Sequence, residues 1–189
     1  GFIEMNPVSG NLVIGGSDVF LGDNQLRVWG NNGNTLTFGP STVISGTGGT
    51  FAINQNSTVV FQSAHSYTGD TFINAGRLEL ASGASLSTSQ LQLGDTGGTA
   101  AAELRLTSAS GGFTSDRGIT VRSGSSGTKT ISATNTSGTN TLSGNVALNS
   151  AVTLNQSSTG TLALSGVISG AQAVTKTGTG VLQLSGSNT

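Results

Sequence analysis

The triplet Leu-Ser-Gly occurs at residues 142–144, 164–166 and 184–186, at spacings of 22 and 20. Two of the copies close alternating runs, Leu162-Ala163-Leu164 and Leu182-Gln183-Leu184. A strand and turn reused at this interval reads as one supersecondary unit per repeat, which buries its apolar side only by stacking on the next. Sandwiches and barrels also use short strands, but they have no reason to reuse one turn at a fixed distance.

The rest of the chain agrees. Apolar residues alternate at period two in runs of three to five, among them 12–14, 26–28, 36–38, 51–53, 59–61, 78–80 and 104–106. Gly, Asn, Ser and Thr bound these runs, and helical periodicity is absent. The segment Arg77-Leu78-Glu79-Leu80 is followed 26 residues later by Glu103-Leu104-Arg105-Leu106. Stacked in parallel register, leucine lies on leucine, Arg77 meets Glu103 and Glu79 meets Arg105. In-register neighbours are about 4.8 Å apart, and opposite charges are favourable there. This predicts an outward charge ladder of Arg77, Glu79, Glu103 and Arg105. Coils of roughly 20 to 27 residues give a solenoid of about seven to nine coils.

Composition fits thin coils better than a globule. Charged residues make up 8% and aromatics 5%, while Gly, Ser, Thr and Asn form about half of the 189 residues. An ordinary domain carries about 25% charge. The net charge of -1 and the scattered Lys and Arg leave no basic stripe, so nucleic acid is not an expected partner. No run of 18 apolar residues suggests a membrane span. Cysteine is absent, which removes thiolate metal sites and suits export through an oxidising compartment.

The stretch Ser66-Tyr67-Thr68-Gly69-Asp70-Thr71-Phe72-Ile73-Asn74-Ala75-Gly76-Arg77-Leu78-Glu79-Leu80 resembles the passenger-associated repeat of bacterial autotransporter-type surface proteins. Thr175-Lys176-Thr177-Gly178-Thr179-Gly180-Val181-Leu182-Gln183-Leu184-Ser185-Gly186-Ser187-Asn188-Thr189 resembles the start of another copy. The resemblance implies an all-β, right-handed parallel β-helix of a protein secreted to, or released from, the bacterial cell surface. Residues 49–189 read as the β-helix with these repeats, and 1–48 as less regular coils or a lead-in. In that family such repeats extend adhesive or structural regions outward. The strands and aromatic girdles of an outer-membrane barrel are not seen here, so the chain is expected to be a passenger segment or a processed product.

Sites of chemistry are weakly signalled. Gly15-Gly16-Ser17-Asp18 with Gly22-Asp23 is similar to the calcium turns of β-rolls, but it lacks the tandem repetition that completes an oxygen cage. Turn aspartates that bond their own backbone explain it as well. A glycosidase needs two carboxyls about 5–10 Å apart across a cleft. Glu79 and Glu103 instead face arginines, and Asp70, Asp95 and Asp116 stand in turns. His65, the single histidine, aligns with Asn188 when Phe61 is laid on Leu184, so it reads as a turn residue. Tyr67 reads as structural, and Phe113 as a cover for one end of a coil. Alternation in 26–29 places Arg27 and Trp29 outward, making Trp29 a candidate ligand platform or interface anchor. No catalytic, cofactor or metal site is expected.

Three functional readings stand. The first is a non-enzymatic structural or adhesive segment whose partners are host or cell-surface glycans or proteins. The second is a filament subunit whose partner is another copy stacked head to tail. The third, most distant, is a polysaccharide-active enzyme. The filament reading rests on Val181, Leu182, Gln183 and Leu184. This strand carries neither charge nor proline to block edge pairing, whereas Glu4 and Pro7 partly blunt the other end.

Overall fold

The computed structural model describes residues 2–5, 10–30, 33–86 and 90–189; for Phe2, Glu4 and Met5 only the backbone is described. Pro7 lies outside the described residues. The protein is all-β and coils as a parallel solenoid with three faces. The first face stacks Phe2–Met5, Gln25–Gly30, Thr50–Asn54, Thr71–Ile73, Leu91–Leu93, Ile119–Val121, Val146–Leu148 and Ile168–Ser169. The second stacks Leu12–Ile14, Thr35–Phe38, Thr58–Phe61, Gly76–Leu80, Ala102–Leu106, Lys129–Ala133, Val152–Gln156 and Val174–Thr177. The third is split into Val19–Phe20, Ile44–Gly46 and Ser66–Tyr67, then Thr114–Ser115, Thr139–Leu142, Thr161–Leu164 and Val181–Leu184. Between its halves, among the described residues, the bridge from Ala64 to Ser85 continues it. About seven turns carry the chain from first coil to last.

Turn length varies while register holds. The shortest step, Val59 to Leu78, is 19 residues, and the longest, Leu91 to Ile119, is 28. Spare residues go into the connections between strands, because each strand must keep its inward side chains over those below. Leu142, Leu164 and Leu184 form one column on the third face, the column of the Leu-Ser-Gly triplets. The glycines that end the triplets also stack. A Cβ on Gly166 would stand 2.2 Å from the Gly144 carbonyl oxygen, and one on Gly186 2.1 Å from that of Gly166. Only glycine lets the backbones approach so closely.

The core is a tube of inward leucine, isoleucine and valine, each worth about 1.5–3 kcal/mol when fully buried. In the second and third coils it turns aromatic. Phe38, Phe51 and Phe61 meet edge to face at 5.1–5.9 Å. Tyr67 is fully buried beside them. Its hydroxyl hydrogen-bonds Thr71 Oγ1, and burial pushes its pKa well above the usual tyrosine range. Phe113 covers no coil end: it is 5% exposed, part of the core, and gives its N–H to Asn140 Oδ1.

Candidate functional site

On the second face the strands Gly76–Leu80 and Ala102–Leu106 pair so that Arg77 faces Glu103 and Glu79 faces Arg105. Leu78 and Leu104 point inward, so the four charged side chains point out. They close a ring. Arg77 Nε bonds Glu103 Oε2 at 2.7 Å, and Arg105 reaches Glu103 Oε1 at 3.0 Å. Arg77 and Arg105 also reach Glu79 Oε1 at 3.4 and 3.6 Å. The Ser132 hydroxyl donates to Glu103 from the next coil. Burial alone would raise the Glu103 pKa. The Ser132 and Arg77 hydrogen bonds and the charges of Arg77 and Arg105 outweigh it, holding the carboxyl below its usual range. An open cavity of about 380 Å³ lies beside the ring, with Arg77, Glu103, Thr58 and Thr130 in its lining. A carboxylate held ionised between two guanidiniums is a poor proton donor and a poor nucleophile.

The aspartates serve corners. Asp18 Oδ1 accepts the Val43 N–H, and Asp95 Oδ1 the Thr96 N–H. Asp70 accepts from Gln90 N–H and Gln92 Nε2, and Asp116 pairs with Arg117. Asp23 receives the Asn24 side-chain amide at 3.4 Å. Among the described residues no three His, Asp or Glu side chains gather as a metal group would.

His65 differs from its reading as a turn residue. It is 4% exposed and packs against the Phe61 ring at 4.1 Å. Its Nδ1 accepts the Ile44 N–H from the coil below, which leaves the proton of the neutral ring on Nε2. That Nε2 is buried without a partner. Burial lowers the His65 pKa to about 4. A side-chain acceptor there completes a backbone ladder, and Asn188 does the same by accepting the Ile168 N–H at 2.8 Å. The alignment of His65 with Asn188 was therefore informative about hydrogen bonding, not exposure.

Trp29 projects from the outer side of the first face, 38% exposed, with Arg27 exposed on the same strand. Val181 and Leu184 are exposed on the last coil, and Leu182 turns partly into the core. Gln183 lies outward, in register with Ala163.

Several polar side chains that the sequence left unmarked hold the corners. Asn135 and Asn140 are fully buried and Gln156 is 1% exposed. Asn135 Nδ2 donates to the carbonyls of Ser137 and Gly138, while its Oδ1 accepts from Asn140 and Gln156. Lys129 is 3% exposed and donates to the Ser125 carbonyl, its methylenes against Gly94. Only the inward parity of positions 129, 140 and 156 could have marked them.

Comparison with known families adds one result. The passenger-associated transport repeat matches residues 56–80 and 174–189. No curated protein and no solved structure matches the chain.

Proposed function

We propose, from the premise that this chain carries two passenger-associated transport repeats in a parallel β-solenoid, that it is a non-enzymatic structural and adhesive segment of a bacterial surface or secreted protein. The observation that carries this reading is the repeat itself, set in a solenoid whose outward charges at 77, 79, 103 and 105 neutralise one another. Such a tube holds attached regions away from a membrane without further chemistry. The test is display. Fused ahead of an outer-membrane barrel in a Gram-negative host, the segment should reach the surface, resist protease there, and increase cell adhesion to glycan- or protein-coated surfaces. Retention in the periplasm would overturn the surface reading, and unchanged adhesion the adhesive one. Reproducible polysaccharide cleavage abolished by one Asp or Glu substitution would overturn the non-enzymatic reading.

A second reading, a filament subunit stacking end to end, is favoured by the apolar side chains of the outermost coils. On the inward columns, Leu12 is exposed on one and Val174 and Leu184 on the other. A head-to-tail contact of this kind propagates unless it closes. Concentrated protein should then form threads in electron micrographs, shortened by Gln183→Glu or Ser185→Asp. A monodisperse monomer at high concentration counts against it.

A further inference from the structure

The outer side of the first face is chemically unlike the other two. Outward positions of the second face around the ion ring are largely threonine, as at Thr35, Thr37 and Thr58. On the first face the register stacks Trp29 beside Asn54. Asn74 follows on the next coil, and Asn74 Nδ2 donates to Asn54 Oδ1 at 2.8 Å. From two coils further, Arg122 donates to Asn74 Oδ1 at 3.0 Å while its guanidinium lies 5.6 Å from the centre of the Phe72 ring. These bonds run in one direction, Arg122 to Asn74 to Asn54. Each carboxamide oxygen is used by the group behind it, so the row ends on the Asn54 amide N–H beside the indole. Among the described residues no group accepts from the Asn54 amide or from the Trp29 indole N–H.

An exposed aromatic face flanked by oriented amide donors matches the two sides of a sugar ring, one lined by C–H groups and one edged by hydroxyls. We propose that this row is a saccharide-binding site, in which a neutral sugar ring lies on Trp29 and its hydroxyls bond the Asn54 amide. Arg122 and Asn74 are positioning residues that fix the Asn54 amide. A protein partner fits less well. Specific protein interfaces bury about 800 Å² per partner around an apolar, aromatic-rich centre, whereas the indole's neighbours are all polar residues: Asn54 in register on one side, Glu4 in register on the other and Arg27 on its own strand. The site stands independently of whether the segment is displayed on a cell.

The chain has one tryptophan, so its fluorescence reports this position alone. The probes are cellohexaose, maltohexaose, laminarihexaose and xylohexaose, titrated separately up to about 10 mM, a range reaching affinities of a few kcal/mol. At least one should give a saturable change in emission, with the same affinity by calorimetry. By calorimetry Trp29→Ala should weaken that binding at least tenfold and Trp29→Phe less. Arg122→Ala should weaken it severalfold, and Arg105→Ala on the second face should leave it unchanged. Trp29 points outward, so the melting curve of each variant checks that the fold persists. Flat titrations with all four probes overturn the proposal, and a protein partner on this face would give that result. Binding that survives Trp29→Ala unchanged overturns it equally.

Discussion

His65 Nδ1 accepts the backbone N–H of Ile44 at 3.1 Å, between adjacent coils and inside an aromatic core. A second proton on the ring would occupy this acceptor and place a charge beside Phe38 and Phe61. The folded pKa of about 4 lies below the ordinary 6.5, so between those values the unfolded chain binds the proton first. Stability from this group is full above about pH 6.5, falls as pH drops towards 4, and levels off below. From pH 7 to pH 5 the loss should be about 2 kcal/mol. Urea unfolding at the two pH values checks this. His65→Asn, which keeps a side-chain acceptor as Asn188 does, should be less stable at pH 7 and lose most of that slope.

Removal of Arg77 tests the ion ring. Arg77→Ala takes the shorter of the two guanidinium bonds from Glu103 but leaves Arg105 and Ser132 in place, so a loss of about 1 kcal/mol is expected. A double-mutant cycle with Glu103→Gln should show favourable coupling that shrinks in 1 M salt. The Glu103 carboxyl is depressed, so its contribution is present above its ordinary pKa and disappears as pH falls through the lowered value. Coupling near zero at low salt would show that the ring contributes nothing.

Asn135→Ala removes the hub of a buried amide network. The Gly138 carbonyl, the Asn140 amide and the Gln156 amide each lose a partner. The Gly138 carbonyl keeps the Thr161 N–H and the Asn140 amide keeps the Ser108 carbonyl, while the Gln156 amide is orphaned, at about 1–3 kcal/mol, on top of the weakened bonds. The expected loss is about 2–4 kcal/mol in chemical denaturation, with hydrogen exchange speeding up first in residues 135–161. A loss under 0.5 kcal/mol would mean the network is dispensable.

Gly166→Ala should destabilise by about 2 kcal/mol or more, because its Cβ would press on the Gly144 carbonyl and two stacked coils would have to separate. Gly97→Ala is the control. Its Cβ would meet nothing within 4 Å and its backbone is not left-handed, so its melting temperature should stay within about two degrees.

Much of the fold was legible because a solenoid repeats its own local rules. Alternation marked strands on the first and second faces, and the two Leu-Arg/Glu segments set a 26-residue register that the paired strands keep. The missed strands Phe2–Met5, Ile44–Gly46, Ser66–Tyr67, Thr114–Ser115 and Ile168–Ser169 are mostly short or polar and carry little alternation. Within 1–48, the described residues take the same three-face path as the rest, because strand pairing asks only for inward apolar residues, not for the repeat motif.

What the chain determined alone was the local unit of strand, corner and strand. Gln55, immediately before the first matched repeat, and Gly178, at the equivalent corner of the second, are both left-handed, with φ of 63° and 78°. What only the tertiary structure decided was where each unit sits. Thr58–Phe61 of the first repeat lies on the second face, and Val181–Leu184 of the other on the third. A corner of this shape serves any edge of the tube, and coils of unequal length shift which edge it meets. The same holds for the polar contacts. Arg122 reaches Asn74 across 48 residues, and His65 meets the Phe38 ring and the Ile44 N–H of the coil below, because stacking brings together residues that no local pattern relates.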